Sequence, residues 1–141
     1  MDIVEEEGLA PERVVICHMD QSKWLGGSLE HQRRILDRGA YVEFDLFGHT
    51  GYFEDAEDAQ PSDVDRADYV SELAADGYED QLLLSQDVFL KYLLRTYGGY
   101  GYAHILENVL PIFRGAGVDE DAIRTMLVEN PKRVLTRGPQ T

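Results

Sequence analysis

Cysteine occurs once in the 141-residue chain, as Cys17. That excludes an internal disulfide and fits a reducing compartment. Set at the end of the apolar run Val14-Val15-Ile16-Cys17, the thiol reads as a small buried hydrophobe rather than a nucleophile. Lysine is scarce, with only Lys23, Lys91 and Lys132, and all basic residues number 13 against 27 acidic ones, a net charge of −14. No basic cluster exceeds two residues, which excludes nucleic acid as a partner, because binding a phosphate backbone needs a surface of Lys and Arg that releases counterions. Anionic membrane surfaces are excluded on the same ground. No apolar run approaches the about 18 residues that span a bilayer, and the acidic start Met1-Asp2-Ile3-Val4-Glu5-Glu6-Glu7 lacks the basic-then-apolar pattern of a secretory leader. The expectation is a cytoplasmic protein. Internal repeats and low-complexity segments are absent as well, and the densest acidic stretch, Glu54 to Asp58, reads as a solvated loop.

What is present is a 43% apolar composition, enough for a core, in three short apolar runs that each end in a polar residue. Val14 to Cys17 is followed by His18, Tyr41 to Phe44 by Asp45, and Leu82 to Leu84 by Ser85-Gln86-Asp87. Their shortness, their aliphatic and aromatic content and their lack of alternation predict strands buried on both faces. Between them lie helical patterns. Ser28 can cap a helix running to Arg38 and ending at Gly39. Ser62 and Asp65 form a capping-box pair ahead of Val64, Ala67, Val70 and Ala74, with Gly77 as the stop. After the third run comes the loop Tyr97-Gly98-Gly99-Tyr100-Gly101-Tyr102, then a helix from His104 to Arg114 interrupted by Pro111. A further helix opens at Asp119 and reaches Glu129, and Asn130-Pro131 reads as cap and first-turn proline of a last one. The chain after Leu135, residues 136–141, reads as a tail.

Strands alternating with helices predict an α/β fold with a parallel sheet, whose ligand sites gather at the carboxyl ends of the strands. The residues there are His18, Asp45 and Asp87, an imidazole and two carboxylates that the fold aims toward one rim, where they can converge on a metal ion. Each has a plainer reading, as a hydrogen-bonding strand-end residue. The Gly-rich loop lacks the spacing and the Lys-Ser/Thr pair of a phosphate cradle, and no Gly-x-Ser-x-Gly elbow is present. Of the other histidines, His31 reads as a surface residue, His104 as a structural hydrogen-bonder, and His49 as a loop residue within reach of a substrate.

Five segments, Val14-Val15-Ile16-Cys17-His18-Met19-Asp20, Tyr41-Val42-Glu43-Phe44-Asp45-Leu46-Phe47-Gly48, Gln81-Leu82-Leu83-Leu84-Ser85-Gln86-Asp87, Gly101-Tyr102-Ala103-His104-Ile105 and Asn130-Pro131-Lys132-Arg133-Val134-Leu135, resemble in order and spacing the carboxyl-terminal part of the phosphotriesterase family, metal-dependent hydrolases of the amidohydrolase superfamily. The resemblance runs from Met1 to Leu135. It implies a (β/α)8 barrel of which these are the strands six to eight, the last three strand-helix units, with a binuclear zinc centre at the carboxyl ends of the strands. It further implies that His18 and Asp87 are metal ligands and that Asp87 takes up the proton of the hydroxide bridging the metals as it attacks a phosphotriester, carboxylic ester or lactone. Asp20 and Asp45 would at most support the ligands. The family's remaining ligands, a His-x-His pair, a carboxylated Lys and a further His, have no counterpart, and none of Lys23, Lys91 and Lys132 substitutes. A full barrel takes about 250 residues. The alternative is therefore a non-catalytic remnant, or a half-barrel that associates with a second copy or with an amino-terminal segment that completes the site. The aromatic residues Phe47, Tyr52, Phe53, Phe89, Tyr92, Tyr97, Tyr100 and Tyr102, in the loops after the second and third strands, suit the wall of an apolar small-molecule pocket.

Overall fold

A computed structural model describes residues 1–21, 28–49 and 60–136. Its centre is a three-stranded parallel sheet in chain order, with β1 (Val15–Ile16), β2 (Tyr41–Phe44) and β3 (Leu82–Leu84) adjacent in that sequence. Val15 and Ile16 pair with Tyr41 and Val42, and Val42, Glu43 and Phe44 pair with Leu82, Leu83 and Leu84. The second and third strands have the bounds their apolar runs predict. The first is shorter than Val14 to Cys17, because the left-handed turn at His18 breaks the regular pairing before the Met19 amide rejoins β2 at the Glu43 carbonyl.

Helix α1 (Asp2–Glu6) precedes the sheet, α2 (Glu30–Leu36) joins β1 to β2, and α3 (Asp63–Ala75) joins β2 to β3. The expected Ser28–Arg38 helix is thus trimmed at both ends. Ser28 still accepts the Glu30 amide, and Gly39, at φ 87°, closes the end through a bond to the Leu36 carbonyl. The capping box of α3 is complete, with Ser62 Oγ accepting from the Asp65 amide and the Asp65 carboxylate accepting from the Ser62 amide. Its buried stripe, however, is Arg66, Ala67, Val70 and Leu73, while Val64 lies exposed.

After β3 the chain makes two short 3₁₀ turns and enters two helical segments, each of which keeps going where a proline should stop it. Ile105–Val109 forms a π-helical stretch that runs into α4 (Leu110–Gly115). Following α5 (Glu120–Arg124), Thr125–Glu129 does the same ahead of α6 (Asn130–Leu135). Pro111 and Pro131 sit just inside α4 and α6. A proline lacks the N–H that an α-helical ladder needs and crowds the preceding turn; widening that turn to i→i+5 removes the conflict. Pro111 therefore does not interrupt its helix. Asn130 is not a cap either, since it has helical dihedrals and its side-chain amide donates instead to the carbonyls of Glu79 and Leu82, 2.7 Å from each. It ties the last helix to the entrance of β3.

The helices cover one face of the sheet. Val42, Phe44 and Leu82 are fully buried there with Leu36, Val70, Leu73, Val109, Phe113 and Met126, each such side chain contributing roughly 1.5 to 3 kcal/mol of transfer free energy. Side chains alternate across a strand, so Cys17, Glu43 and Ser85 project from the opposite face. The Glu43 carboxylate lies between the other two, accepting from the Cys17 thiol at 3.3 Å and the Ser85 hydroxyl at 3.0 Å. Cys17 is accordingly exposed, against the burial expected from its apolar neighbours: the run continues the strand, but this residue points away from the helices.

Candidate functional site

Because the strands are parallel, the residues that follow them share one rim. Among the described residues, the non-glycine positions with positive φ are two, His18 at 58° and Asp87 at 38°. They follow β1 and β3, the two outer strands. A side chain in this left-handed region crowds its own backbone, and such conformations persist where the surroundings over-determine them, which is characteristic of functional sites. Sequence patterning selected His18, Asp45 and Asp87 as polar groups at the ends of apolar runs, and the backbone marks the first and last of them.

Asp45, after β2, lies next to His18 and accepts two bonds on Oδ1, one from the His18 amide and one from His18 Nδ1, each at 3.1 Å. The Asp45 side chain is 8% exposed and that of His18 54%. Burial, reinforced by the charge of Asp20 and opposed by His18, raises the Asp45 carboxyl to about 6. A proton on Nδ1 facing the Asp45 carboxylate would leave Nε2 free, the form in which a histidine ligates a metal. The Cys17 thiol and the carboxylates of Glu43 and Asp45 offer ligand atoms all within 4.8 Å of one another. Partial burial, the Glu43 hydrogen bond and the charges of Glu43, Asp45 and Asp87 push the thiol up to about 11. The two carboxylates offer the oxygen donors that a divalent cation takes, whereas the thiol, held protonated, adds none.

Behind the rim lies a buried polar network. Arg66 is fully buried in α3. Its Nε donates to Asp20 Oδ2 at 3.0 Å, Nη1 to the His49 carbonyl at 3.1 Å and to Asp63 Oδ1 at 3.3 Å, and Nη2 to Gln60 Oε1 at 3.3 Å. Asp20, two residues after His18, also accepts from the Leu46 amide at 2.8 Å; burial raises its carboxyl, with Arg66 opposing. Asp63 accepts from the Gly48 amide at 2.8 Å and contacts His104 Nε2 at 2.6 Å, and the other His104 ring nitrogen is 3.0 Å from Asn108 Nδ2. Gly48, at φ 85°, lets its loop pass directly over His104, since a Cβ there would stand 2.9 Å from the ring. His104 is thus the structural hydrogen-bonder expected, and His31 is exposed as expected. Arg66 was not anticipated, although a basic residue four before Val70 and seven before Leu73, on the apolar stripe of α3, is the signal that could have found it.

The loop aromatics divide. Phe47 is core, packed edge-on against Phe113 with centroids 5.9 Å apart, and is not part of a pocket wall. Tyr100 stacks on His104 at 4.2 Å and, like Phe89, Tyr92, Tyr97 and Tyr102, is exposed. Tyr52, Phe53, Lys23, the Glu54 to Asp58 stretch and residues 137–141 lie outside the described residues. No described helix is long and apolar enough to cross a membrane.

Comparison with known proteins extends this geometry. The model of the phosphotriesterase family matches residues 1–135. The N-acetyltaurine hydrolase of Danio rerio is 36% identical over 136 residues, covering 95% of this chain and 38% of that protein. The crystal structure of a resiniferatoxin-binding protein from Rhodobacter sphaeroides superposes with a TM-score of 0.87 at 41% identity, covering 94% of this chain and 36% of the other. The phosphotriesterase homology protein from Escherichia coli, solved with phosphate in its active site, gives 0.82 at 26% identity, covering 96% and 42%. The chain therefore spans under half the length of these relatives.

Proposed function

Because this chain belongs to the phosphotriesterase family, we propose that it supplies strands six to eight of a (β/α)8 barrel and, with them, two ligands of a metal-dependent hydrolase centre. The observation that carries the reading is the left-handed backbone at His18 and Asp87, the two strand-end positions whose side chains the chemistry requires. His18 binds through Nε2, oriented by Asp45, and Asp87 binds through its carboxylate. A divalent metal, zinc as the expected ion, when bound lowers the pKa of water toward neutrality and polarises the bond to be broken. The Asp87 carboxylate accepts the proton released as water attacks. The exposed rings of Phe89, Tyr92 and Tyr102, on the chain after β3, suit an apolar leaving group. The substrate is a small molecule with a carboxylic ester, lactone or phosphotriester bond, and the likeness to N-acetyltaurine hydrolases adds a simple N-acyl amide.

A catalytic zinc commonly takes three protein ligands and a water. His18 and Asp87 are two, so the centre is completed by ligands from further strands. A second reading is favoured by the share of the relatives that this chain covers: the 141 residues act as a half-barrel that is silent until an amino-terminal portion packs against it. The test is hydrolysis of an aryl phosphotriester, a lactone and an N-acyl amide in the presence of zinc, by the chain alone and by the chain co-expressed with the amino-terminal portion of the Rhodobacter sphaeroides relative. Turnover of at least one substrate that Asp87→Asn lowers at least roughly a hundredfold is expected. Equal turnover by the variant refutes the assigned role. Turnover only on co-expression supports the half-barrel.

A further inference from the structure

The left-handed turn at Asp87 is held from outside its own loop. His49, in the segment after β2, directs Nε2 at two successive carbonyls of the β3 exit, Gln86 O at 2.9 Å and Asp87 O at 3.2 Å. Its ring lies nearly parallel to that of Phe89, with centroids 5.8 Å apart and 15° between planes, so imidazole and phenyl grip the turn from one side. The His49 backbone is itself fixed at both ends. Its amide donates to the Leu46 carbonyl at 3.0 Å, and its carbonyl accepts from the buried Arg66 guanidinium, whose Nε holds Asp20 just beyond His18. One continuous set of bonds therefore runs from the exit of β1, through Arg66 and His49, to the exit of β3. One end of that path is the strained Asp87 itself, and the other, Asp20, lies two residues beyond the strained His18.

We propose that His49 is a positioning residue: its Nε2–H clamps the Gln86–Asp87 peptides and, anchored by Arg66, fixes the direction in which the Asp87 carboxylate faces the metal centre. The proposal rests on the reading of Asp87 as a ligand. The chemistry demands one tautomer, since two carbonyl oxygens offer only lone pairs and the nitrogen that faces both must carry the proton. The three-centre geometry also explains why a histidine, and not a flexible amine, occupies the position: a rigid ring stacked on Phe89 keeps the donor between the two acceptors.

The clamp has a reporter that needs no metal. The Phe89 amide donates to the Asp87 carbonyl at 2.8 Å, closing the turn on the same oxygen that His49 holds. In the metal-free 141-residue chain, nitrogen–proton correlation of the imidazoles should show His49 protonated on Nε2; a ring protonated on Nδ1 overturns the proposal without any substitution. Exchange of the Phe89 amide should quicken by roughly tenfold in His49→Phe, which keeps the stacking and loses the donor, and return to within roughly threefold of the original in His49→Gln, whose amide can donate. Equal exchange in the original chain and His49→Phe also overturns it. Titration with zinc chloride of the chain co-expressed with the amino-terminal portion of the Rhodobacter sphaeroides relative, which supplies the remaining ligands, then separates the two claims. If His49→Phe weakens zinc binding by roughly tenfold and Asp87→Asn removes it, clamp and ligand role both stand. If the exchange results hold while Asp87→Asn binds zinc as the original does, the clamp stands and the ligand reading falls.

Discussion

Replacing Arg66 with Met should be the most damaging single change in the described part of the molecule. The guanidinium is fully buried and its bond to Asp20 is 3.0 Å. At that separation and an effective permittivity of about 20, the Coulomb attraction alone is roughly 5.5 kcal/mol, opposed by the cost of taking both ions out of water. The net worth of the pair against an apolar isostere is therefore small, but removing one member is different. Among the described residues, Asp20 would stay buried with the Leu46 amide as its remaining partner from another residue, Asp63 would keep Gly48 and His104, and the His49 carbonyl would lose its Arg66 donor. Breaking a buried pair on one side costs about 3 to 5 kcal/mol. That is a large share of the 5 to 15 kcal/mol by which a domain is ordinarily stable. Urea unfolding followed by far-ultraviolet circular dichroism measures it, with the slope checked so that a midpoint shift reads as stability. The double variant Arg66→Met with Asp20→Asn removes both charges and should be at least about 1 kcal/mol more stable than the sum of the single losses predicts. A single-variant loss below about 1 kcal/mol, or strict additivity, would refute the claim that this is a buried, mutually dependent charge pair.

Two further outcomes follow from backbone geometry. Gly48→Ala places a Cβ 2.9 Å from the His104 ring at a φ of 85° and should cost about 1 to 3 kcal/mol in the same unfolding assay; a neutral result would mean that the loop can be held without passing over His104. Asn130→Ala strips the side-chain donor from the carbonyls of Glu79 and Leu82 and should cost about 1 to 3 kcal/mol, with faster amide exchange across Leu82–Leu84 than in the rest of the sheet. Uniform exchange would show that α6 does not secure the β3 entrance.

Sequence patterning reached the sheet through features that need no tertiary context: Tyr41–Phe44 and Leu82–Leu84 are apolar runs with abrupt polar ends, and the Ser62/Asp65 box is satisfied within its own turn. It placed His18 and Asp87 at strand ends for the same reason. What it missed depends on partners distant in the chain. Cys17 looked buried because its neighbours are apolar, yet its direction is set by the strand pleat and by Glu43, 26 residues away. Asn130-Pro131 has the composition of a helix start, and only the position of β3 converts the Asn into a bond to another element. Arg66 drew no reading, because its place on the apolar stripe marks burial without naming Asp20, 46 residues earlier, as the partner. Pro111 broke a helix on paper because a widened turn is a response of the backbone, with no residue type to mark it.

The two left-handed residues also set a direction in which this sequence would drift. Glycine at position 18 or 87 would relieve backbone strain worth roughly 1 kcal/mol at each site, so selection for stability alone favours losing both the imidazole and the carboxylate. Histidine and aspartate there are residues held against the fold's own preference. If the two positions hold a metal as proposed, a lineage released from that role surrenders them early, well before its core begins to erode.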